Sequence, residues 1–468
     1  MSISNNDPVI QLLREASRKG IFPGAVVCAS KKSSVQYDHA VGNATLSPDP
    51  VPIVTQALFD VASLTKPVAT VTAIMQLIDS KETELDTPIY KHLPIFGKKG
   101  KKDITIRHLL SHCSGLDAHV KFYEELEALN QEGRGPDYGP QAVKWVVEKI
   151  AGLESRPPET ETVYSDLGYI VLGYLVEQLT QTPFHEYCRN EIFLPLGMED
   201  TFFLPLWQED KKQQLLKGRQ VVATEDCPWR KRVLVGEVHD SNCHAMGGVA
   251  GHAGLFSTAA DIHRFSLTML RCYHGAMDFL PQELVQTFWS IQPMVPNTTW
   301  TLGWDTPSPE GSSAGSHYSA SSVGHLAFTG CSMWLDPEDD VVIVLLTNRV
   351  HPSRDNIEIR RFRPIIHNTI RSLITEPVPL PPPKRLGKAP APITPEEAEK
   401  LLSENARLPR PSLKAISTKE EAEASKSHTH DKKESDVKSA HSYLKEKQTT
   451  VIPPTKKSTL PPPDKKKL

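Results

Sequence analysis

Strand-like sequence lies at the two ends of the first 375 residues of this 468-residue chain, with a long helical stretch between. Near the start, Ala25-Val-Val-Cys-Ala is a continuous apolar run placed after Gly20 and Pro23, and Val35 to Val41 follows as a second strand. Near the other end, His325 to Leu335 and Val341 to Thr347 flank Asp336-Pro-Glu-Asp-Asp, a hairpin signal between two apolar segments. From Val61 to about Arg271 the apolar spacing is largely helical, interrupted by loop-rich segments at Gly97 to Lys102, Gly133 to Pro140 and Pro157 to Thr162. The two ends are therefore expected to build one sheet. Helices predicted over Val9 to Lys19 and Ile357 to Ile374 would complete an α/β layer, with the middle, roughly residues 75–270, as a helical subdomain beside it. A cleft between these parts is the natural site.

Composition sets the boundary of this unit. Of the chain's 39 prolines, 15 fall in residues 376–468, where apolar clusters fade and Lys, Glu, Ser and Pro dominate. Residues 376–468 carry 19 Lys and Arg against 13 Asp and Glu, so this segment is basic and the rest is acidic. It includes Pro379-Leu-Pro-Pro-Pro and Leu460-Pro-Pro-Pro and one short helical pattern, Pro395 to Ser403, and it reads as a disordered tail whose partner the sequence does not name. Neither half has the basic field interleaved with aromatics that nucleic-acid binding needs. The seven cysteines are scattered and never in C-x-x-C spacing, which argues against a disulfide framework or a zinc site. No basic and apolar leader opens the sequence, and no apolar run reaches membrane-spanning length, so the expected compartment is the cytoplasm.

Chemistry enters at Ser63-Leu-Thr-Lys66. Leu64, Val68, Val71, Met75 and Ile78 follow at spacings of three and four, which predicts a buried helix opening near Ser63, with Pro67 tolerated in its first turn. Residues three apart share a helix face, so the Lys66 amine points towards the Ser63 hydroxyl. For that amine to act as a base its pKa must fall, and burial in an apolar helix is expected to supply the drop. A capped core helix would also explain the pattern. Further on, Tyr164-Ser165-Asp166 follows the loop Arg156-Pro-Pro-Glu-Thr-Glu-Thr and precedes an apolar helical run, where Ser165 or Asp166 would serve as an N-cap whatever the function. Last, Gly324-His325-Leu326-Ala327-Phe328-Thr329-Gly330 lies on the first strand of the late hairpin, where a backbone N–H could join that of Ser63 in an oxyanion hole.

Together these elements resemble the penicillin-binding-protein and serine β-lactamase superfamily, whose pattern is Ser-x-x-Lys, then Tyr-x-Asn/Asp, then Lys/His-Thr-Gly on a strand. Ile104-Thr-Ile-Arg-His-Leu-Leu-Ser-His-Cys-Ser-Gly-Leu116, Gly236-Glu-Val-His-Asp-Ser-Asn242 and Gly247-Gly-Val-Ala-Gly-His-Ala-Gly-Leu-Phe-Ser257 extend the likeness to roughly residues 7–374, closest to the class C β-lactamase-like branch. The resemblance implies an antiparallel sheet flanked by helices from both chain ends plus a central all-helical subdomain. It implies a nucleophile, Ser63, that forms an acyl intermediate while Lys66 and Tyr164 share its proton. Asp166 would orient Lys66 or a substrate amide, Phe328 would lend the second oxyanion N–H, and His252 would line the pocket.

The third motif departs from the pattern. Leu326 replaces the hydroxyl and Ala327 the glycine, so the grip on a substrate carboxylate is weakened unless His325 is protonated or Thr329 shifts to supply a hydroxyl. The expected reaction is therefore hydrolysis of a small carboxylic ester, with a D-Ala-D-Ala-type peptidase or β-lactamase as the alternative and a catalytically idle binding protein as the reading from another class. No cofactor or metal is expected: the spacing of His239, Asp240, His244 and His252 fits no common zinc pattern. His108, Ser111 and His112 read as structural, and Trp304 and Asp305 as either core or pocket wall.

Overall fold

The computed structural model describes residues 7–374. The segment 376–468, with its expected disorder and its short helix, lies outside them. The sheet strands are β1 (Gly24–Lys31), β2 (Ser34–Thr45), β3 (Val51–Pro52), β4 (Val323–Leu326), β5 (Ser332–Asp336) and β6 (Val341–Thr347). The helices that frame the site are α1 (Pro8–Arg18), α2 (Thr72–Asp79), α3 (Asp166–Thr180), α4 (Ala259–Tyr273) and α5 (Ile359–Leu373).

The two chain ends meet in one six-stranded antiparallel sheet of order β3-β2-β1-β6-β5-β4. β1 and β6 close it, in register from Ala25 opposite Thr347 to Lys31 opposite Val341. Successive side chains of a strand face opposite ways, so β1 feeds two cores. Ala25, Val27 and Ala29 pack with Val9, Ile10 and Leu13 of α1 and with Phe362, Ile366 and Ile370 of α5. Val26 and Cys28 face the other core, which includes Phe265 and Met269 of α4. The outer helix α1 starts where Asp7 accepts the amides of Val9 (2.8 Å) and Ile10 (3.3 Å), and Pro8 at its first position loses no needed bond.

Three expectations need correction. His325 to Leu335 is not one strand: the chain turns between β4 and β5 at residues 327–331. Gly330 permits the turn, with φ of +110° and no room for a side chain, since a Cβ there would stand 2.1 Å from the Thr347 hydroxyl. The segment from Ser63 is helical but irregular, with a 3₁₀ turn at Ala62–Leu64 and a π-helical stretch at Lys66–Val71 before α2. Pro67, which cannot donate a backbone bond, sits where the ladder changes pitch, and such π-stretches recur at functional sites. The middle of the chain is also not all helical. Leu255–Ser257 pairs with Phe59–Asp60 and Phe202–Phe203 in a small sheet that fixes the chain just ahead of Ser63.

Candidate active site

Asp60, a buried residue, sets up the turn that presents Ser63. One of its carboxylate oxygens accepts the Ala62 amide (2.8 Å) and the other accepts the His239 amide (2.6 Å). These bonds hold Ala62 at φ +44°, a left-handed conformation costly for a residue with a Cβ, and it immediately precedes Ser63. Burial holds the Asp60 carboxyl above its ordinary range, a rise that the two amides offset only in part.

Below Ser63 the Lys66 side chain is wholly buried. Its ammonium lies 2.8 Å from Asp166 Oδ1, 3.2 Å from Ser63 Oγ and 3.1 Å from the His252 carbonyl. That carbonyl reaches Lys66 because Gly251 packs against Gly173 of α3, where a Cβ on Gly173 would stand 2.8 Å from the Gly251 backbone. The expected fall in the Lys66 pKa is overturned. Burial does push it down, but the Asp166 carboxylate, helped by Tyr164, outweighs burial and holds the amine above its ordinary value. Burial likewise would raise the Asp166 carboxyl, yet the Lys66 charge and the bond with His119 keep it well below the usual carboxylate range. The resting pair is an ammonium and a carboxylate.

Asp166 is both first residue of α3 and ligand of Lys66. Ser165 caps the helix through its hydroxyl, which accepts the Gly168 amide (3.4 Å) and donates to the Asp117 carbonyl (2.7 Å). Tyr164 places its ring 4.8 Å from Lys66 Nζ and packs on His112 (4.6 Å) and Trp300 (5.4 Å). Burial raises its hydroxyl pKa against the pull of Lys66, so the phenol rests protonated. His112 is more than a helix-end residue: its Nδ1 accepts the Ser165 amide (3.1 Å) while its ring supports Tyr164.

His325, Leu326, Ala327 and Phe328 line the same cavity, of about 780 Å³, as Ser63, Tyr164, Asp166 and His252. His325 does not supply a cation. Its Nδ1 lies 2.8 Å from the Leu326 carbonyl, which can only accept, so Nδ1 carries the proton and Nε2 presents a buried lone pair. Burial, with the Lys66 charge adding to it, pushes this imidazole down to about 3. Thr329 does not replace the missing hydroxyl either, because it is buried and donates to the Asp60 carbonyl (2.9 Å). The turn is held by the Ala327 amide on the Cys331 carbonyl (2.8 Å) and the Gly330 amide on the Ala327 carbonyl (3.1 Å), bonds that leave the Phe328 amide out.

His252 turns its imidazole to Asp240 (Nε2 to Oδ1, 3.0 Å) and gives Lys66 its carbonyl instead. Trp304 is core, stacked on Phe265, and the aromatic wall is Trp300; Asp305 also lines the cavity, its carboxyl held up to about 6 by burial. Among the described residues no cluster of His, Cys, Asp or Glu is arranged to hold a metal ion. Sequence reasoning missed Asp60, His119 and Trp300. His119 faces Asp166 Oδ2 at 3.6 Å, and it follows the Ser-Gly-Leu116 block with no spacing that would mark it. Asp60 carries one usable signal, its place three residues before Ser63.

A sequence model of the beta-lactamase family matches residues 9–366. An N-acetylmuramyl-L-alanine amidase of Bacillus subtilis (strain 168) is 31% identical over 355 residues, covering 70% of this chain and 78% of the relative. A putative D-alanyl-D-alanine carboxypeptidase of Escherichia coli (strain K12) is 32% identical over 356 residues, covering 70% and 79%. Among solved structures, EstCE1, a hydrolase with promiscuous acyltransferase activity, superposes with a TM-score of 0.57 at 21% identity, covering 76% of this chain and 97% of its own.

Proposed function

This chain belongs to the beta-lactamase family of serine hydrolases, and we propose on that premise that it hydrolyses carboxylic esters through an acyl intermediate on Ser63. We read residues 1–375 as the catalytic unit, with 75–270 as its helical part. The observation that carries the choice of esters is the wall at His325 and Leu326: a neutral imidazole and an alkyl side chain stand where a carboxylate-gripping cation and hydroxyl would be needed.

Lys66 starts as an ammonium, so it must lose a proton before it can take one. In this reading Asp166, which touches both Lys66 and His119, draws that proton away as substrate displaces water. The neutral amine then accepts the Ser63 proton while Ser63 Oγ bonds to the ester carbonyl carbon. The amides of Ser63 and Phe328 meet the oxyanion, collapse breaks the bond to the alcohol, and Lys66 with Tyr164 returns the proton to it. Water repeats the sequence on the acyl-enzyme and releases the acid.

The amidase and carboxypeptidase names of the relatives favour a second reading, cleavage of an amide. One experiment separates the readings: intact mass and turnover with a p-nitrophenyl ester, a β-lactam and a fluorophosphonate, for wild type and Ser63→Ala. Ester turnover that falls at least about 10⁴-fold in the variant, with loss of the phosphonate adduct, supports the proposal. An adduct that survives in Ser63→Ala refutes the nucleophile, and turnover of the β-lactam without the ester selects the second reading. The seven cysteines are all buried and unpaired, which supports placing this chemistry in a reducing compartment such as the cytoplasm. No helix of the described residues is long and apolar enough to cross a membrane.

A further inference from the structure

Arg349 and Arg363 are nearly buried, at 6% and 5% exposure, and both line the cavity that holds Ser63. Among the described residues, every hydrogen bond that either side chain makes goes to a neutral carbonyl. Arg349 donates from Nε to Phe328 (2.7 Å) and from Nη1 to Arg354 (2.8 Å) and Asn356 (2.5 Å). Arg363 donates from Nη2 to Ala327 and Cys331, both at 3.0 Å, and its Nε is buried with no acceptor. Carbonyls satisfy donors but do not neutralise charge, and a buried guanidinium without a counter-ion is costly.

Among the described residues no carboxylate lies within ion-pair distance of either arginine. The fold matches its other buried arginines: Arg230 has Glu237, and Arg371 has Asp336. Arg354, at the same end of the cavity, is taken up by Glu225. The acids that line the cavity are committed elsewhere, Asp166 to Lys66, Asp240 to His252 and Asp305 to Thr299. Exposed Arg360 also lines the cavity and is close enough to add repulsion at both buried arginines; burial chiefly pushes each down to about 10, with cationic neighbours adding to the fall and Cys331 opposing it at Arg363.

We propose that Arg349, Arg360 and Arg363 form an anion-binding arm of the cavity, so that the substrate presented to Ser63 carries a carboxylate. The proposal rests on the ester-hydrolase reading and narrows it. Leu326 and neutral His325 remove one grip on an anion, and the arginines offer another, built from the segment just after β6 and from α5 instead of the third motif.

The test compares 4-nitrophenyl butyrate, which is neutral, with mono-4-nitrophenyl glutarate, charged on the acyl side, and 4-butyryloxybenzoate, charged on the leaving side. After subtraction of uncatalysed rates, one anionic ester should exceed the neutral ester in kcat/KM by at least about tenfold, the equivalent of one charge-assisted bond. The ratio should fall towards one in Arg360→Gln, an exposed position that holds no backbone. Because Arg349 and Arg363 also brace the 327–331 turn, competitive inhibition of the unaltered protein by glutarate, weakened in Arg360→Gln, is the second measurement. Hydrolysis of the neutral ester with both anionic esters no faster and no inhibition by glutarate overturns the anion arm alone. Absence of hydrolysis and of Ser63 labelling overturns the ester-hydrolase reading as well.

Discussion

At the floor of the cavity Lys66 and Asp166 hold each other at 2.8 Å, whereas at its strand wall His325 bonds to the carbonyl of the next residue and Phe328 is gripped by its own carbonyl. The floor works by side-chain charge, so each group there depends on the identity of its partner. The wall works by backbone, its carbonyls braced by Arg349 and Arg363 and its turn tied down by Thr329. A site assembled in these two ways tolerates change on one side and not on the other. In the proposed mechanism Leu326 and Ala327 can depart from the family pattern because the turn would supply the Phe328 amide whatever side chains it carries.

The largest break in this contrast is expected from Lys66→Met. It leaves the Asp166 carboxylate with only His119 opposite, so thermal or urea unfolding should report a loss of about 3 kcal/mol, together with loss of ester turnover. An unchanged stability would show that Asp166 is solvated well enough to stand alone. Asp166→Asn should act less on stability and more on pH. Without the carboxylate, burial dominates at Lys66 and lowers its pKa, so the proton is lost at lower pH and the rising limb of kcat/KM should move in the acid direction. A limb that stays in place would mean that the titration belongs to another group. The mildest effect is expected at the wall, where Leu326→Thr with Ala327→Gly should raise acylation by a β-lactam about tenfold while leaving the melting temperature nearly unchanged. No gain would indicate that the arginine side of the cavity, and not the third motif, decides how a carboxylate is held.

Much of the floor was legible in the sequence and much of the wall was not, for different reasons. Ser63 and Lys66 are linked by helical spacing, a local rule, and Asp166 is fixed next to Tyr164 in sequence. What spacing could not convey is the sign of the Lys66 shift, which depends on a carboxylate 100 residues away in the chain. At the wall, the run from His325 to Leu335 has the apolar character of a strand, and only the collision that a side chain at Gly330 would make with Thr347 shows that the chain must turn there. Arg349 and Arg363 carried no signal at all, since an arginine near a strand end or on a helix is ordinarily a solvated charge. The sheet itself followed from the placing of apolar runs at both ends, a pattern that leaves few other ways to bury them.

The pairing of β1 with β6 also sets a timetable for synthesis. Residues 24–45 leave the ribosome early, but the strand that covers the inner edge of β1 is some 300 residues later, roughly 15–60 s at ordinary elongation rates. Throughout that interval a nascent hairpin shows an open apolar edge of the kind that other chains can pair with. Polypeptides ended short of Val341 are therefore expected to be held by chaperones or lost to aggregates, while release of the completed unit should bring a single late gain of protease resistance as the last strand arrives.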